Sequence, residues 1–269
     1  MNKTGQRGSG AALLPAPPSH WQLWNDETPR PGWANMAIDQ ILLERAECFS
    51  ERWLRLYQWS PSCLSFGRHE PASRRYDAGR IAELGLDTVR RPTGGRAVWH
   101  SQELTYAVAA PGTDFGSLRA AYQEIHTMLA VALSSLGASV HLAPETRTPS
   151  LDAGACFAQP VGGEVMLDGC KVVGSAQLRL GSTILQHGSI LLHDDQDVVT
   201  WVTSGASQLR VPPGGEPWAT SADVADAVVA AARDRWPGTW HRLRDDGEVV
   251  CSASIHFPRY RSAAWTWAR

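Results

Sequence analysis

The chain has 269 residues, of which 43% are hydrophobic and 19% charged, and its formal net charge at pH 7 is −2. Such a composition is typical of a globular protein, and the small net charge excludes a global field that attracts nucleic acid or acidic lipid. No apolar stretch approaches the roughly 20 residues that a membrane-spanning helix needs. We therefore expect a cytoplasmic protein that binds neither nucleic acid nor membranes.

The five cysteines are predicted to be free thiols, because their number is odd and neither a CxxC pair nor a secretory signal is present. Cys48, Cys63 and Cys251 are predicted to be buried, which is the common state of a free cysteine. Cys156 is different, because it lies among small residues and a proline in the segment GACFAQP. That setting favours an accessible loop.

Composition divides the chain into two parts. Residues 1–19 are rich in Gly, Pro, Ala and Ser, so we expect a disordered tail that cannot bury enough apolar surface to fold. Residues 20–269 are predicted to form a single domain. Within that domain the hydrophobic pattern weakens after Leu192, and the part from about residue 204 has fewer recognisable features than the core. From Val249 onward the pattern suggests a strand or an arm.

Hydrophobic periodicity predicts the main elements. A first helix is expected to begin at Asn35, its N-cap, and a last one to begin at Ser221 and end at Pro237. Further helices are expected over residues 74–84, 117–136 and 198–202. Strands are expected over residues 53–59, 104–109 and 183–192, with a hairpin over 165–173 that turns at Asp168-Gly169. Residues 86–91 lead into the loop described below. Because strands and helices alternate without strict βαβ order, we predict an α+β fold whose mixed or antiparallel sheet is flanked by helices.

A candidate ligand loop lies within the stretch RRPTGGRAVWHSQELTY, residues 90–106. Gly94 and Gly95 permit positive φ and leave room for a ligand, while Arg91 and Arg96 supply fixed positive charge. The alternative is an ordinary Gly-Gly turn flanked by surface charge, but the crowding of two arginines and His100 favours a ligand site. Neither GxxxxGK[ST] nor GxGxxG occurs in this stretch, so the standard nucleotide motifs are absent from it.

Cys156 and Lys171 form a second candidate pair, 15 residues apart. Lys171 follows the predicted turn and enters an apolar strand, so it either points to solvent or enters a pocket. A nearby ammonium lowers the pKa of a thiol, and a free thiol with a pKa near ~8.5 is only slightly ionised at pH 7. A Cys–Lys pair could therefore support acyl transfer. Cys170 is expected to face away from Lys171, because adjacent strand residues point in opposite directions.

Four segments carry a family resemblance: RRPTGGRAVWH, GACFAQP, DGCKVVGSAQLR and ILQHGSILL. They resemble, in order, the lipoate/octanoate protein-transferase superfamily, which includes lipoate-protein ligases, octanoyltransferases and, more distantly, biotin protein ligases. The resemblance covers roughly residues 33–195, and within it residues 64–68 resemble the family's short second strand and turn. It implies the biotin/lipoate protein ligase fold, which is similar to class II synthetases, and a single acyltransferase catalytic domain over residues 20–269.

Within the superfamily, the sequence around Cys156 most resembles octanoyltransferases of the Gram-positive, LipM type. The ligases usually have an Asn-Asp-Ile-like segment there and no cysteine. The resemblance implies that Cys156 is a nucleophile that forms an acyl-thioester, and that Lys171 lowers its pKa and orients the acyl carbonyl. The implied donor is octanoyl-acyl carrier protein, and the implied acceptors are lipoyl-domain proteins such as the glycine cleavage H protein and the E2 subunits of 2-oxoacid dehydrogenases. Neither a cofactor nor a metal ion is expected.

Further residues are expected to bind substrate or to support the site. The predicted substrate-binding residues are Arg91, Gly94, Gly95, Arg96, Ala97, His100, Gly174, Ser175, His187 and Gly188. His187 could shuttle a proton or hydrogen-bond the loop, and the second role is favoured because no carboxylate lies near it in sequence. His126 is expected to be solvated or to cap a helix rather than to bind a ligand.

Three other functions remain open from the sequence. An ATP-dependent lipoate-protein ligase would keep Lys171 and the loop but make Cys156 incidental. An amidotransferase that moves octanoyl or lipoyl groups between lipoyl domains would use a similar cysteine. A non-catalytic accessory subunit or acyl-binding module would need no nucleophile, so Cys156→Ser would leave its function intact.

Overall fold

The computed structural model describes residues 19–144, 157, 162–204 and 217–268. Its helices are α1 (Gly32–Phe49), α2 (Ala72–Arg75), α3 (Ala78–Glu83), α4 (Leu118–Ser135), α5 (Asp197–Trp201), α6 (Ser221–Arg235), α7 (Gly247–Ala253), α8 (Phe257–Tyr260) and α9 (Ala263–Thr266). Its strands are β1 (His20–Asn25), β2 (Arg52–Tyr57), β3 (Cys63–Phe66), β4 (Asp87–Arg90), β5 (Val98–His100), β6 (Glu103–Pro111), β7 (Val140–Leu142), β8 (Val165–Leu167), β9 (Cys170–Lys171), β10 (Val173–Leu180), β11 (Thr183–Leu191) and β12 (Thr239–Arg242).

The central element is a six-stranded mixed sheet with strand order β10-β11-β6-β2-β1-β12. The four strands from β10 to β2 pair antiparallel, whereas β1 pairs parallel with both β2 and β12. Two three-stranded sheets, β4-β3-β5 and β7-β8-β9, complete the strand structure of the described ranges. The predicted α+β class with a mixed sheet flanked by helices is confirmed.

Helices cover both faces of the large sheet, and the alternation of β2 shows how. Leu54 and Leu56 belong to the apolar cluster formed with α4 and α6, on what we call the α4 face. Trp53 and Tyr57 point to the opposite side and belong to the cluster formed with α1, α7 and α8, on the α1 face. Because successive side chains of a strand point to opposite faces, β2 contributes side chains to two separate hydrophobic cores.

The register of three neighbouring strands determines which side chains meet near the candidate site. Gly188 of β11 lies opposite Ser175 of β10 and Tyr106 of β6, so these positions share the α4 face. The preceding residue, His187, therefore points to the α1 face. One strand thus contributes to a polar cluster on each side of the sheet.

Two of the predicted helices, α4 and α6, are confirmed, and the structure shows the residues that begin and end them. The hydroxyl of Ser117 accepts a hydrogen bond from the backbone N–H of Ala120 and caps α4, and Gly137 follows the helix with φ of +85°. Thr220 caps α6 in the same way, through the N–H of Asp223. Both helices lay their apolar stripe on the α4 face.

The predicted hairpin is also confirmed. Asp168 and Gly169 adopt φ of +50° and +80° between β8 and β9, as a two-residue turn with left-handed backbone requires. Met166 pairs with Lys171 and Leu167 with Cys170. As expected from strand alternation, Cys170 is exposed and Lys171 is buried.

The prediction that Asn35 caps the first helix is wrong. The helix α1 begins at Gly32, after Pro31, and Asn35 lies buried within its first turns. Its amide donates to the carbonyls of Arg30 and Gln58. A polar residue near a helix start resembles an N-cap in sequence, but here its bonds are made to segments outside the helix.

Two other predicted elements are corrected. Residues 74–84 do not form one surface helix, because extended Tyr76 separates α2 from α3 and Asp77 caps the second of them. The segment from Val249 is helical, since Val249 lies within α7, which packs on α1. Its buried face is short, so the periodicity could not separate it from a strand.

The cysteine predictions succeed only in part. Cys63 is buried against Gly32, where a Cβ would come within 2.5 Å of the thiol sulfur. Cys48 and Cys251 are exposed, contrary to expectation, because they lie on the outer faces of α1 and α7. Cys156 and the predicted tail, apart from Ser19, lie outside the described residues. Among the helices of the described ranges, none has the length and apolar character needed to cross a membrane.

Candidate active site

The Gly-Gly loop is shaped by Arg91, whose side chain is buried. Its guanidinium donates to the backbone carbonyls of Gly94 and Arg96, at 3.1 and 2.8 Å, and to the carbonyl of Ser65 at 2.9 Å. Arginine suits this role because its planar fork carries five donors. Arg91 therefore fixes the path of the loop, and it is also one of the residues that line the adjacent cavity.

Two glycines bring the loop against the end of β3. Gly95 adopts φ of +90°, a conformation that side chains strongly disfavour. A Cβ on Gly67 would lie 1.9 Å from the carbonyl oxygen of Gly95, so residue 67 must also lack a side chain. By contrast, a Cβ on Gly94 would meet nothing within 4 Å. The loop is thus tightly held on one side and open at Gly94.

His100 supports the loop from behind. Its Nδ1 lies 2.7 Å from a carboxylate oxygen of Glu103, and its Nε2 lies 2.6 Å from the hydroxyl of Ser65. Burial lowers the pKa of His100, although Glu103 opposes that shift, so the ring is neutral and Nδ1–H donates to Glu103 while Nε2 accepts from Ser65. The Ser65 oxygen in turn accepts from Arg91 at 2.5 Å. His100, Ser65 and Arg91 form a continuous support for the loop.

His187 anchors the other side of the loop, on the α1 face. Its Nδ1 lies 2.8 Å from a carboxylate oxygen of Asp39, and its Nε2 lies 2.6 Å from the hydroxyl of Thr93. The carboxylate partner that the neighbouring sequence lacks is supplied by α1, 148 residues away. Both ring nitrogens are therefore engaged by the protein, which agrees with a loop-holding role for His187.

Asp39 is the centre of a buried charged cluster. It also accepts hydrogen bonds from the hydroxyl of Tyr57 at 2.8 Å and from Arg55 at 3.0 Å. Arg55 is fully buried and donates further to Asp26 at 2.7 Å and to the side chain of Asn35 at 2.8 Å. A buried charge is tolerated only when it is paired and hydrogen-bonded in this way.

A cavity lies between the loop and strands β10 and β11. Its polar side chains direct their donors into the protein: Tyr57 donates to Asp39, and the indole N–H of Trp59 donates to Thr105 at 2.7 Å. The hydroxyl of Thr105 donates in turn to Glu103. With these groups satisfied behind the wall, the cavity presents aromatic and aliphatic surface that suits an apolar ligand.

The predicted substrate-binding residues divide into two groups. Those that line the cavity are Arg91, Gly95, His100, Gly174, Ser175, His187 and Gly188. Those that do not line it are Gly94, Arg96 and Ala97. Gly94 is half-buried, whereas Arg96 and Ala97 are buried, and Ala97 packs in the apolar cluster with Leu64 and Phe66. In the parts of the chain with described side chains, no three His, Cys, Asp or Glu residues are placed to hold a metal ion.

Lys171 lies beside the cavity rather than in its wall. Its ammonium is 2.7 Å from a carboxylate oxygen of Glu164, and both side chains are almost fully buried. The ring of Phe157, which follows Cys156 in sequence, lies 5.0 Å from the ammonium. The same ring covers Gly174, where a Cβ would come within 2.7 Å of it. The segment that carries Cys156 thus meets Lys171 and β10 at Phe157, while the predicted nucleophile itself lies outside the described residues.

A second buried histidine lies on the α4 face, and the prediction that His126 is solvated or caps a helix is wrong. Its Nδ1 lies 2.7 Å from the carbonyl of Gly163, and its Nε2 lies 2.8 Å from the hydroxyl of Ser175. Burial lowers the pKa of His126 to about 4, against the opposing Gly163 bond and with help from the charge of Lys171. The ring is neutral, so Ser175 donates to its Nε2.

Gly188 is required by this arrangement. The hydroxyls of Tyr106 and Ser175 lie 2.6 Å apart although their strands are separated by β11. A Cβ on Gly188 would come within 2.5 Å of both the Ser175 oxygen and the carbonyl of Gly174. The missing side chain lets the two hydroxyls meet across the middle strand.

The matching family model is that of the lipoyl protein ligase A/B catalytic domain, over residues 31–211. The chain belongs to this family. The octanoyltransferase LipM of Moorella thermoacetica is 40% identical over 204 residues, which cover 72% of this chain and 74% of that protein. The LipM octanoyltransferase of Anoxybacillus flavithermus is 39% identical over 61% of this chain. The match spans 63% of that relative, slightly less than two thirds of its length.

Solved structures of lipoate protein ligases confirm the predicted fold. Lipoate-protein ligase A bound with ATP aligns with a TM-score of 0.72 at 18% identity, over 92% of this chain and 98% of that one. A bi-partite lipoate protein ligase from Thermoplasma acidophilum aligns with a TM-score of 0.70 at 18% identity, over 93% and 98%. At such identities the comparison establishes the fold alone.

Sequence reasoning missed the partners that hold the site. Asp39, Thr93 and Ser65 lie 148, 94 and 35 residues from the histidines that they bond, so no local signal identifies them. Glu103 lies only three residues after His100, within the stretch of residues 90–106, and its spacing from the histidine was a local signal that sequence reasoning did not use. Glu164 is also close to its partner, because it lies on the same hairpin as Lys171 and two residues before that lysine's cross-strand partner, Met166. Diagonal neighbours on one face of a hairpin lie about 7 Å apart, within reach of long side chains.

Proposed function

We propose that this member of the lipoyl protein ligase family is an octanoyltransferase of lipoate biosynthesis, and that it works through an acyl-thioester on Cys156. The observation that carries the proposal is the 40% identity with a LipM octanoyltransferase over most of the chain. The donor is octanoyl-acyl carrier protein and the acceptor is a lysine of a lipoyl-domain protein. Residues 20–269 act as the single catalytic domain.

In the first half-reaction, the Cys156 thiolate attacks the thioester carbonyl of octanoyl-acyl carrier protein. A new carbon–sulfur bond forms, the bond to the carrier's sulfur breaks, and the carrier leaves as a thiol after taking a proton. One thioester replaces another, so the step needs activation of the nucleophile rather than an energy source. The buried ammonium of Lys171 beside Phe157 supports that role, because positive charge favours the thiolate.

In the second half-reaction, the ε-amine of the acceptor lysine attacks the octanoyl-thioester. The amine loses a proton, an amide forms, and the Cys156 thiolate leaves and is ready for another cycle. Formation of an amide from a thioester is downhill, so the transfer consumes no nucleotide. The developing oxyanion requires donors, and the open backbone at Gly94 and Gly95 together with Lys171 are the proposed ones.

The cavity supports an acyl substrate. Its polar side chains are satisfied behind the wall, and much of the remaining lining is aromatic or aliphatic, as suits an acyl chain. Burial of an octanoyl chain with six methylenes contributes about 5 kcal/mol, at ~0.8 kcal/mol for each methylene. The residues that line the cavity would hold the chain, and Arg91, His100 and His187 would position the loop against it.

The first test is the intact mass of the purified protein after mixing with octanoyl-acyl carrier protein in the absence of ATP. We expect a gain of one octanoyl group that hydroxylamine removes, that Cys156→Ser abolishes and that the matched variant Cys170→Ser retains. Adding a lipoyl domain should then discharge the group onto its lysine. No gain with the carrier, but labelling of a lipoyl domain from free lipoate or octanoate with magnesium-ATP, would refute the thioester route and indicate a ligase.

A further inference from the structure

The cavity follows a row of four residues that crosses the large sheet. Gly174 of β10 pairs with Ser189 of β11, and Ser189 pairs in turn with Thr105 of β6. Thr105 then pairs with Tyr57 of β2, and all four residues line the cavity. Neighbouring strands lie about 4.8 Å apart, so the three steps of the row span about 14 Å. An extended chain of eight carbons is about 9 Å long, at about 1.25 Å for each staggered carbon–carbon bond, and can lie along this row.

The two ends of the row differ. β10 is an edge strand of the sheet, and the Gly-Gly loop meets it there, because a Cβ on Gly95 would lie 3.9 Å from that of Ala176. At the other end, which we call the closed end, the guanidinium of Arg55 lies 3.9 Å from the centre of the Tyr57 ring. Arg55 belongs to the buried charged cluster around Asp39. The loop therefore marks the place for the polar head of an acyl group, and Tyr57 marks the limit for its tail.

Met36 of α1 lines the cavity at the closed end. It lies three residues before Asp39, on the same face of the helix, and Asp39 accepts the hydroxyl hydrogen of Tyr57 at 2.8 Å. The residue before it, Asn35, donates to the carbonyl of Gln58 at 3.2 Å. Met36 therefore lies beside Tyr57, and both belong to the apolar cluster of the α1 face.

The cavity is narrow in this structure. Its volume is about 30 Å³, which is the share of about one water molecule in the liquid, so an acyl tail requires a side chain to withdraw. Two aromatic side chains of the wall are held by hydrogen bonds, Tyr57 to Asp39 and Trp59 to Thr105. Met36 carries no polar hydrogen and has three rotatable bonds around a polarisable sulfur. It is the side chain of the closed end that can withdraw without breaking either of these hydrogen bonds.

We propose that Met36 determines the length of the acyl chain that this protein accepts. Its side chain yields to the tail of an eight-carbon chain and, with Tyr57 behind it, excludes longer chains. This inference rests on the proposed function, because it takes the cavity as the acyl site. It adds the dimension that the site selects, and it does not depend on how the acyl group is activated.

The test measures the binding of free saturated fatty acids of six to twelve carbons by isothermal titration calorimetry. In the wild-type protein, affinity should rise about fourfold for each added methylene and should stop rising beyond eight carbons. Met36→Ala removes the three outer heavy atoms of the side chain, so the rise should continue to ten carbons or more. Decanoate should then bind about tenfold more tightly to Met36→Ala than to the wild-type protein.

A matched control separates chain-length selection from general loosening of the core. Met128 is also a buried methionine, but it lies in the apolar cluster of the α4 face and does not line the cavity. Met128→Ala should therefore keep the eight-carbon limit, although it deletes the same atoms from the core. Met36→Leu nearly conserves volume and should keep the limit as well.

A change in the opposite direction keeps the proposal testable if Met36→Ala does not fold. Met36→Phe places a bulkier and stiffer side chain at the closed end, so hexanoate should become the preferred ligand. Thermal unfolding of each variant shows which proteins are folded under the conditions of the titration.

Two results would overturn the inference. One is a wild-type affinity without a limit at eight carbons, and the other is a limit that stays at eight carbons in folded Met36→Ala or Met36→Phe. Failure of the proposed function looks different, because the limit and its shift would then persist in fatty-acid binding while the wild-type protein acquired no octanoyl group from the carrier.

Discussion

The two faces of the sheet beside the cavity each hold a buried histidine, but the two rings lie in opposite electrostatic settings. On the α1 face, His187 bonds the carboxylate of Asp39 and the hydroxyl of Thr93. On the α4 face, His126 bonds the carbonyl of Gly163 and the hydroxyl of Ser175, with the charge of Lys171 nearby. Both rings use both nitrogens, so the difference lies in the charge of their partners.

The α1 face therefore depends on charge, and the α4 face on a fixed order of neutral hydrogen bonds. Because His126 is neutral, it donates from Nδ1 and accepts at Nε2, and this fixes which group donates in each hydrogen bond on the α4 face. The chain of donors runs from Gln177 to Gln186, Tyr106, Ser175, His126 and finally the carbonyl of Gly163. One region should be sensitive to loss of charge, and the other to pH and to small changes in shape.

The largest effect should come from removal of charge on the α1 face. Asp39→Asn keeps the shape of the side chain but leaves Arg55 without one of its buried anions. Breaking a buried ion pair costs about 3 to 5 kcal/mol. We expect the free energy of unfolding, measured by urea denaturation, to fall by an amount in that range. As a control, Glu27→Gln breaks an exposed pair with Arg242 and should leave the urea midpoint where it is.

The next effect is a pH dependence from the α4 face. The pKa of His126 falls from 6.5 in the unfolded chain to about 4 in the folded protein, so between these values the unfolded chain binds more protons. Stability from this residue is complete above pH 6.5 and is lost as pH falls toward 4, by about 3 kcal/mol. His126→Gln should remove that part of the slope.

The measured quantity is the difference in the free energy of unfolding between wild type and His126→Gln, determined by urea denaturation from pH 4 to 7. Asp195, whose pKa burial raises to about 6, contributes a slope of opposite sign to both proteins, so it cancels in the difference. Parallel stability curves for the two proteins would contradict the assigned neutral ring.

A smaller effect is expected from a change of shape at Gly188. An alanine there would place a Cβ 2.5 Å from the Ser175 hydroxyl and the Gly174 carbonyl, and overpacking of this kind costs about 1 to 3 kcal/mol. Gly94→Ala is the matched control for stability, because its Cβ meets nothing within 4 Å. Equal unfolding midpoints for the two variants would disprove the close approach across β11.

The smallest effect should follow Tyr106→Phe. The change conserves volume and removes a hydroxyl that accepts from Gln186 and donates to Ser175. We expect a loss of about 1 kcal/mol, the usual net contribution of a hydrogen bond, with an unchanged dependence of stability on urea concentration. A loss as large as that of Asp39→Asn would mean that the neutral chain is as important as the charged cluster.

The elements that could be predicted from sequence are those specified by local chemistry. The helix α4 has a capping serine, a one-sided apolar stripe and a terminating glycine, and the β8–β9 hairpin has Asp168 and Gly169 in its turn. Where local and tertiary preferences differ, the prediction failed. Asn35 looks like a cap but bonds Arg30 and Gln58, and α7 shows too short a pattern to distinguish helix from strand.

The candidate site was predictable in its loop and its lysine but not in its supports. The Gly-Gly pair and Lys171 carry their signals in adjacent residues, through backbone freedom and through a charge within an apolar strand. His187 gains Asp39 only because α1 packs on β11, and His126 is buried only because α4 crosses the edge of the sheet at Ser175. Such partners depend on chain topology, which a local pattern does not contain.

The guanidinium of Arg90, next to the loop-forming Arg91, has a consequence for how the protein matures during synthesis. It donates to the carbonyls of Trp265 and Ala268, at 3.0 and 2.5 Å, as well as to that of Gly67 at 2.7 Å. On a translating ribosome, β3, β4 and the loop are made long before residues 265–268, so Arg90 gains these two acceptors only after the strands of the large sheet have been synthesised. The order of synthesis, and not the folding of the loop itself, therefore sets when this hydrogen-bond set can be completed.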